Sequence, residues 1–254
     1  MDPGNIAIVG GTGFETLPPE IFAESIDVAT ACGMSRVLSV SDNYTEPHKL
    51  YFLSRHGADH SVAPHQINYR ANALALKQLG VRYVFATNAA GSLTTEFPTG
   101  TFIVLDDFID FTKHRPLTLF DDQQWSHIDF TMPYSPLLRR MLLDSAAILK
   151  VPAQDGGTYV CCDGPRFESP AEVRLFHDWG GDIVGMTGLP EAVFAREAGM
   201  QYAAVAIVTN LGAGLSDAPV DHADVVLKMK AALPLLRDIC LGSARLLVAT
   251  WHLS

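Results

Sequence analysis

Short apolar runs alternate along the chain with segments whose apolar residues recur at helical spacing. Uninterrupted apolar runs are typical of strands that are buried on both faces of a sheet. They predict strands over Ile6–Val9, Arg82–Thr87, Thr101–Asp107, Thr158–Cys162, Asp182–Met186 and Tyr202–Asn210. One more strand is predicted to end at Arg55, immediately before His56 and Gly57.

The segments between these strands have helical periodicity and helix-boundary residues. They predict helices over Tyr69–Gly80, Pro136–Lys150, Pro170–Gly181, Leu189–Met200 and about 221–250, the last with a kink at Pro234. Strands that alternate with helices predict an α/β fold with a mixed, mostly parallel, twisted central sheet flanked by helices. We expect a single domain over residues 1–254, because no linker or internal repeat interrupts the pattern.

The segment Thr112–Tyr134 is polar, contains proline and has no clear periodicity. It is the segment that most clearly predicts a long loop. Long loops inside compact domains tend to carry function, so this segment is a candidate for a binding role.

Composition narrows the class of protein. Hydrophobic residues make up 48% of the 254 residues and the formal net charge is −10, without a cluster of Lys or Arg. This charge argues against nucleic acid or an anionic membrane as a partner. The four cysteines form no C-x-x-C motif, and no apolar stretch approaches the length of a membrane span. We therefore expect a soluble, cytoplasmic protein without a metal framework.

Three predicted strands end in residues that suit a small anion. The first runs into Gly10-Gly11-Thr12-Gly13, the second ends at Arg55-His56 and the third runs into Asn88-Ala89-Ala90-Gly91. Glycine turns present backbone N–H groups, and arginine presents a planar fork that matches two phosphate oxygens. Because ligands of open α/β sheets bind at the carboxyl ends of strands, the three segments together predict a phosphate site.

Each segment alone also has an ordinary interpretation, as a tight turn, a surface arginine or a loop histidine. A dinucleotide site is disfavoured because position 16 is Thr16 and not the third glycine of that motif, and no clear ribose-binding acid follows. A metal site at His56 and His60 is disfavoured because the pair follows a strand and lacks the glutamate of a helical zinc motif.

Longer motifs extend these segments. The stretches IVGGTGF, RHGADH, PHQINYRAN, TNAAGSL, GPRFES and GMTGLPEAVFAREAG resemble those of the trimeric nucleoside phosphorylases, in the branch of the methylthioadenosine phosphorylases. They occur in order over roughly residues 5–230. The resemblance implies the nucleoside phosphorylase fold, phosphate as a co-substrate, no metal or organic cofactor, and a homotrimer.

The resemblance also implies roles for individual residues. The phosphate site would consist of Thr12, Arg55, His56, Asn88, Ala89 and Thr187. Met186 would lie under the ribose, Phe167 would pack on the base, and His127 would enter the neighbouring subunit's 5′ pocket. Leu211 and Gly212 follow the base-binding position and would line the same pocket.

Two residues depart from the methylthioadenosine pattern. Asn210 replaces the aspartate that ends the late strand of those enzymes, and Glu168 replaces the serine after Phe167, as in phosphorylases of 6-oxopurines. A Glu168 carboxylate accepts a hydrogen bond from N1–H, which hypoxanthine and guanine carry and adenine does not. With His56, these two residues are the candidate catalytic residues.

The 5′ group of the nucleoside depends on the start of the last helix. His222 would bond a 5′-hydroxyl, whereas Ala223 beside Val225, Val226 and Leu227 would face an apolar 5′-methylthio group. The register of the following residues favours Ala223. The expected reaction is then phosphorolysis of S-methyl-5′-thioinosine to hypoxanthine and 5-methylthioribose 1-phosphate. The alternatives are phosphorolysis of inosine and guanosine, or of methylthioadenosine.

Overall fold

The computed structural model describes residues 4–15, 21–40, 48–120 and 125–251. The strands are Asn5–Gly10 (β1), Phe22–Thr30 (β2), Gly33–Val40 (β3), Leu50–Ser54 (β4), Val81–Ser92 (β5), Phe102–Val104 (β6), Asp107–Asp110 (β7), Ala153–Asp155 (β8), Thr158–Cys161 (β9), Ile183–Gly185 (β10) and Gln201–Leu211 (β11). The helices are Tyr69–Gln78 (α1), Pro136–Ile148 (α2), Pro170–Asp178 (α3), Glu191–Glu197 (α4) and His222–Trp251 (α5), with a short 3₁₀ helix at Pro64–Gln66.

The described strands form one mixed sheet in the order β2-β3-β4-β1-β5-β10-β9-β7, with β11 paired to β5 and β6. At its centre β4, β1, β5 and β11 are parallel, so their carboxyl ends lie at one edge. Antiparallel pairs join β2 to β3, β3 to β4, β5 to β10 and β6 to β11. The predicted fold class, a mixed and largely parallel sheet between helices, is confirmed.

The central strands are buried on both faces because helices cover each side. Ile6 and Ile8 pack into a core with α2 and α5, whereas Ala7 and Val9, at the alternate positions, pack into a second core with α1 and α4. This two-sided burial accounts for the uninterrupted apolar run of β1.

The predicted strand Thr101–Asp107 is divided in two. Its first part, β6, pairs with β11. Its second part, β7, pairs with β9 at one edge of the sheet. Asp106 lies at the break, where its Oδ1 accepts a hydrogen bond at 2.8 Å from the N–H of Gly157. The hairpin of β2 and β3 was not predicted, although its alternating residues and Gly33, at φ +117°, fit a strand–turn–strand pattern.

The segment Thr112–Tyr134 contains no helix or strand in its described parts, which are residues 112–120 and 125–134. Residues 121–124 of this predicted loop, and Thr16 of the glycine segment, lie outside the described residues. Helix α5 has Pro234 in its interior; the kink there stays a prediction. None of the helices in the described ranges has the length and apolar character needed to cross a membrane.

Candidate active site

A cavity of about 370 Å³ opens at the carboxyl ends of the central strands. Residues that follow or end β1, β4, β5, β10 and β11 line it, which is the expected position for a ligand in a sheet of this kind. Among the predicted site residues, those on the wall are Thr12, His56, Ala89, Phe167, Glu168, Met186, Thr187, Asn210 and His222.

In the glycine turn after β1, two of the backbone N–H groups expected to bind an anion already have partners within the protein. The N–H of Gly11 donates to Thr87 Oγ1 at 3.4 Å, and the N–H of Gly13 donates to Glu15 Oε1 at 2.7 Å. Glu15 Oε1 also lies 2.8 Å from His60 Nδ1, so one carboxylate ties the turn to the loop after β4. From this turn, Thr12 lines the cavity.

Arg55 is 2% exposed and lies behind the cavity wall rather than on it. Its Nε and Nη2 donate to the two carboxylate oxygens of Glu191 at 3.0 and 2.6 Å, and its Nη1 donates to the carbonyl of Thr87 at 2.7 Å. A Cβ on Gly11 would lie 2.6 Å from Arg55 Nη1, so this approach requires glycine. Burial alone would lower the pKa of Arg55, but the Glu191 carboxylate outweighs it and raises that pKa.

His56 lies on the wall as a neutral imidazole. Burial is the main reason that the pKa of His56 is lowered to about 4, and the positive charge of Arg55 lowers it further. The hydrogen bond to the carbonyl of Val62 acts in the opposite direction. Since a carbonyl only accepts, Nδ1 carries the proton and donates to Val62 O at 2.8 Å. The tautomer follows from this bond, and it leaves Nε2 as an acceptor.

Asn88 and Thr187 are joined across the sheet, because Asn88 Nδ2 donates to Thr187 Oγ1 at 3.1 Å. Asn88 is buried behind the wall, and its Oδ1 has no hydrogen-bond partner among the described residues. The N–H of Thr187 donates to the hydroxyl of Tyr159 at 3.4 Å. Thr187 is therefore held at both its side chain and its backbone.

Phe167 and Glu168 lie where helix α3 begins. Ser169 caps this helix through a capping box: its hydroxyl accepts from the N–H of Glu172 at 3.3 Å, and Glu172 Oε2 accepts from the N–H of Ser169 at 2.8 Å. The S-P-A-E sequence carries this signal. Burial raises the pKa of Glu168. The cap thus holds a partly desolvated carboxyl on the cavity wall.

Asn210 lies near the end of β11, with its Nδ2 donating to the carbonyl of Leu211 at 3.0 Å and its Oδ1 accepting from Thr209 Oγ1 at 3.0 Å. These bonds assign the amide orientation and leave one N–H of Nδ2 for a ligand. Neither Leu211 nor Gly212, which were predicted to share this pocket, lies on the cavity wall.

The start of helix α5 differs from the predicted register. His222 and Val225 line the cavity, and Ala223 does not. The reason is helical geometry: residues three and four apart share a face, so His222, Val225 and the buried Met229 point one way. Ala223 is rotated by about 100° from His222, and its N–H donates to Asp221 Oδ1 at 3.0 Å.

His127 does not lie on the cavity of its own chain. It is exposed, and its ring packs at 5.3 Å against the ring of Trp125. Its predicted place in a neighbouring subunit's pocket stays a prediction.

The structure adds residues that the sequence analysis did not assign to the site. His60 lies on the wall with its ring 4.5 Å from that of His56, and it has φ +55°, which is uncommon for a residue other than glycine. Glu15 contacts His60, and Glu191 binds Arg55 behind the wall. His60 stood in a recognisable motif, whereas no local pattern marks Glu191, whose partner Arg55 is 136 positions away.

Comparison with known proteins identifies the family. The family model described as the phosphorylase superfamily matches residues 5–245. The chain belongs to the phosphorylase superfamily. It is 46% identical to the 6-oxopurine nucleoside phosphorylase of Pyrococcus furiosus, over 87% of this chain and 84% of that relative. It is 45% identical to the probable S-methyl-5′-thioinosine phosphorylase of Methanopyrus kandleri, over 84% of this chain and 80% of that relative.

Solved structures of the superfamily have the same fold. The methylthioadenosine phosphorylase of Schistosoma mansoni in complex with adenine superposes with a TM-score of 0.88 and 30% identity, covering 97% of this chain and 92% of that one. The resemblance drawn from the sequence motifs is confirmed. The protein is a phosphorylase of the purine nucleoside type.

Proposed function

We propose that the protein catalyses the reversible phosphorolysis of 6-oxopurine nucleosides, with S-methyl-5′-thioinosine as the first candidate substrate. The observation that carries the proposal is the presence of Glu168 and Asn210 on one cavity wall with Thr12, His56 and Thr187. Relatives named for 6-oxopurine nucleosides and for S-methyl-5′-thioinosine, at 46% and 45% identity, support it.

In this reaction the C1′–N9 bond breaks and its electron pair leaves with the purine. A phosphate oxygen then forms the new bond to C1′ from the opposite face, and the departing purine gains the proton that the phosphate loses. The products are ribose 1-phosphate, or its 5-methylthio analogue, and the free base. The enzyme must hold an anion near a ribosyl centre that gains positive charge, and it must stabilise negative charge on the departing base. The proposal invokes neither a metal nor an organic cofactor.

The phosphate half of the site would act by positioning. Thr12, Ala89 and Thr187 line it, and Arg55 retains two N–H groups beyond the three that bond Glu191 and Thr87. Because His56 is neutral with Nδ1 as donor, its Nε2 would accept a hydrogen bond from a P–OH group. His56 therefore favours a phosphate that still carries a proton.

The base half would select the 6-oxopurine. An ionised Glu168 accepts from N1–H, and the remaining N–H of Asn210 donates to O6 or N7. Adenine presents a bare N1 to Glu168, so two acceptors would face each other. Mismatches of this kind in sites built on hydrogen bonds reduce kcat/KM by a factor on the order of 10⁴ in strong cases.

The 5′ end of the site supports two candidates. Val225 gives this wall an apolar surface that suits a 5′-methylthio group. His222, on the same wall, favours inosine or guanosine as the second candidate because its imidazole would bond a 5′-hydroxyl. Methylthioadenosine is the third candidate, and the base half disfavours it. We further propose a homotrimer in which His127 completes this end of a neighbouring site.

A side-by-side assay tests the proposal. Release of the free base is measured with S-methyl-5′-thioinosine, inosine, guanosine and methylthioadenosine, with and without phosphate. We expect phosphate-dependent cleavage with a kcat/KM for S-methyl-5′-thioinosine at least about a hundredfold above that for methylthioadenosine. Equal cleavage of the two, or equal cleavage without phosphate, would refute the proposal.

His222→Ala decides the 5′ group within the same assay. If His222 bonds a 5′-hydroxyl, the variant loses kcat/KM for inosine while that for S-methyl-5′-thioinosine changes little. Ala223→Val is the matched control, since Ala223 does not line the cavity.

A further inference from the structure

Arg115 connects the long loop to the backbone beneath the cavity. It belongs to the loop segment 112–120, yet its side chain is only 4% exposed. Its Nη1 donates to the carbonyl of Leu189. The two N–H groups of its Nη2 are shared among the carbonyls of Met186, Cys162 and Asp163, the last two at 3.2 Å. One guanidinium thereby bridges two chain segments that are distant in sequence.

The bridged segments carry the walls of the nucleoside half. The first segment begins at Met186, which lies on the cavity wall. The second continues from Asp163 through Gly164 to Phe167 and Glu168, which also lie on the wall. The two segments also touch directly: a Cβ on Gly164, which has φ +67°, would lie 2.4 Å from the sulfur of Met186. The distance between the ribose wall and the base wall therefore depends on how these two backbones are held together.

Two further groups lie beside the guanidinium, although its Nε has no hydrogen-bond partner among the described residues. Its Nε lies 3.3 Å from Asp163 Oδ1, and its central carbon lies 5.1 Å from the centre of the Tyr69 ring. Arginine suits this role because its planar group has five donors in a rigid fork, whereas lysine has a single charged nitrogen. Lysine at this position would reach one segment but would not bridge both.

The phosphate half has contacts of its own, although its Thr187 lies in the segment between Met186 and Leu189 that Arg115 also holds. Thr187 is held by Asn88 and Tyr159, and His56 by the carbonyl of Val62. None of these contacts includes Arg115. Loss of the bridge should therefore act on the nucleoside and much less on phosphate.

We propose that Arg115 is a positioning residue that sets the spacing between the ribose wall at Met186 and the base wall at Phe167 and Glu168. It does not lie on the cavity and acts through the backbone carbonyls of these segments. The inference rests on the proposed phosphorylase function, because it assigns those walls to the nucleoside.

The test is Arg115→Lys in the full-length protein, with KM measured separately for S-methyl-5′-thioinosine and for phosphate, and with the Kd of hypoxanthine measured by calorimetry. Small misplacements in a site cost up to about a hundredfold in rate. We expect the nucleoside KM and the hypoxanthine Kd to rise at least about tenfold, and the phosphate KM to change less than about threefold.

Arg70→Lys is the matched control. Arg70 also anchors the long loop, since its Nε donates to the carbonyl of Thr118 at 2.8 Å and its Nη2 to that of Phe120 at 3.2 Å, but it bridges no cavity segment. An equal effect of the two substitutions, or an equal rise in both KM values for Arg115→Lys, overturns the proposal.

A second variant covers a failure of Arg115→Lys to fold. Asp163→Asn keeps the arginine and removes the carboxylate beside its Nε, and we expect the same selective rise in nucleoside KM, at least about threefold. No selective rise overturns the proposal. A wild-type protein that neither binds hypoxanthine nor requires phosphate instead refutes the proposed function.

Discussion

At the scale of single residues, Glu168 and Asn210 determine which hydrogen-bonding pattern of a purine fits the cavity. Glu168 is an acceptor when ionised and a donor when protonated, and burial raises its pKa. Asn210 has one N–H already committed to the carbonyl of Leu211. Base selection at this site is therefore a matter of a few donors and acceptors, and single substitutions should shift it.

Asn210→Asp should move the preference toward 6-aminopurines, because a carboxylate accepts from the 6-amino group and no longer donates to O6. We expect the ratio of kcat/KM for S-methyl-5′-thioinosine over methylthioadenosine to fall at least about tenfold. Asn72→Asp is the control, since Asn72 lies on α1 and accepts from Ser35 Oγ at 2.8 Å. An unchanged ratio would remove Asn210 from base recognition.

Base selection should also depend on pH through Glu168. As the pH falls through its raised pKa, the carboxyl gains a proton and becomes able to donate to the bare N1 of adenine. The same kcat/KM ratio should thus decrease on acidification. In Glu168→Gln, whose amide does not titrate, the ratio should be flat over this range; a parallel decrease in both proteins would point to another group.

At the scale of elements, the N-termini of helices α3 and α5 deliver side chains to the cavity. The capping box at Ser169 fixes the first turn of α3 just after Glu168, and the periodicity of α5 turns His222 and Val225 toward the wall. Helix α4 brings Glu191 beneath Arg55, where the hydroxyl of Tyr202 also donates to it at 2.8 Å. The helices thus position the site as much as the strand ends do.

Ser169→Ala should lower stability by about 1 kcal/mol, the usual effect of losing an N-cap. Because Glu168 adjoins this cap, the nucleoside KM should rise while the phosphate KM stays the same. Ser135→Ala removes the equivalent cap of α2, where the hydroxyl accepts from the N–H of Leu138 at 3.4 Å, away from the cavity. A similar rise in nucleoside KM from both variants would mean that destabilisation alone is responsible.

At the scale of the whole molecule, the long loop presents apolar side chains that a monomer leaves in water. Leu117 is 92% exposed, and Trp125 and Met132 are 59% exposed each. Large apolar side chains exposed along one loop are candidates for contact with another chain. It supports the proposed trimer, in which the exposed His127 reaches a second copy's site.

Shared sites make a distinctive prediction for mixed assemblies. His127→Ala and Glu168→Gln should each lower activity, and their co-expression should restore part of it, because some sites then combine an intact Glu168 with an intact His127 from the neighbour. Two different affinity tags, used in succession, isolate the mixed assembly, and light scattering gives its mass. No recovery in a verified mixed trimer would place His127 outside the neighbouring site.

Much of the chemistry follows from local sequence alone. Apolar runs of the length of strands, helical periodicity and glycine-rich turns depend on neighbouring residues, so they predicted the α/β class and the strand ends where Thr12, His56 and Asn210 lie, whereas β5 continues past Ala89 to Ser92. The motif resemblance assigned Glu168 and Asn210 to the base, and their donor and acceptor types then indicated the base class.

The tertiary structure decided what depends on direction and on distant partners. One residue of helical rotation separates His222, on the wall, from Ala223, off it. Arg55 lies behind the wall because Glu191, 136 positions away, holds its guanidinium. Arg115 joins two cavity walls through carbonyls 71 and 47 positions away. Local pattern specifies which groups are present, but only the packed chain determines where each one points and what it binds.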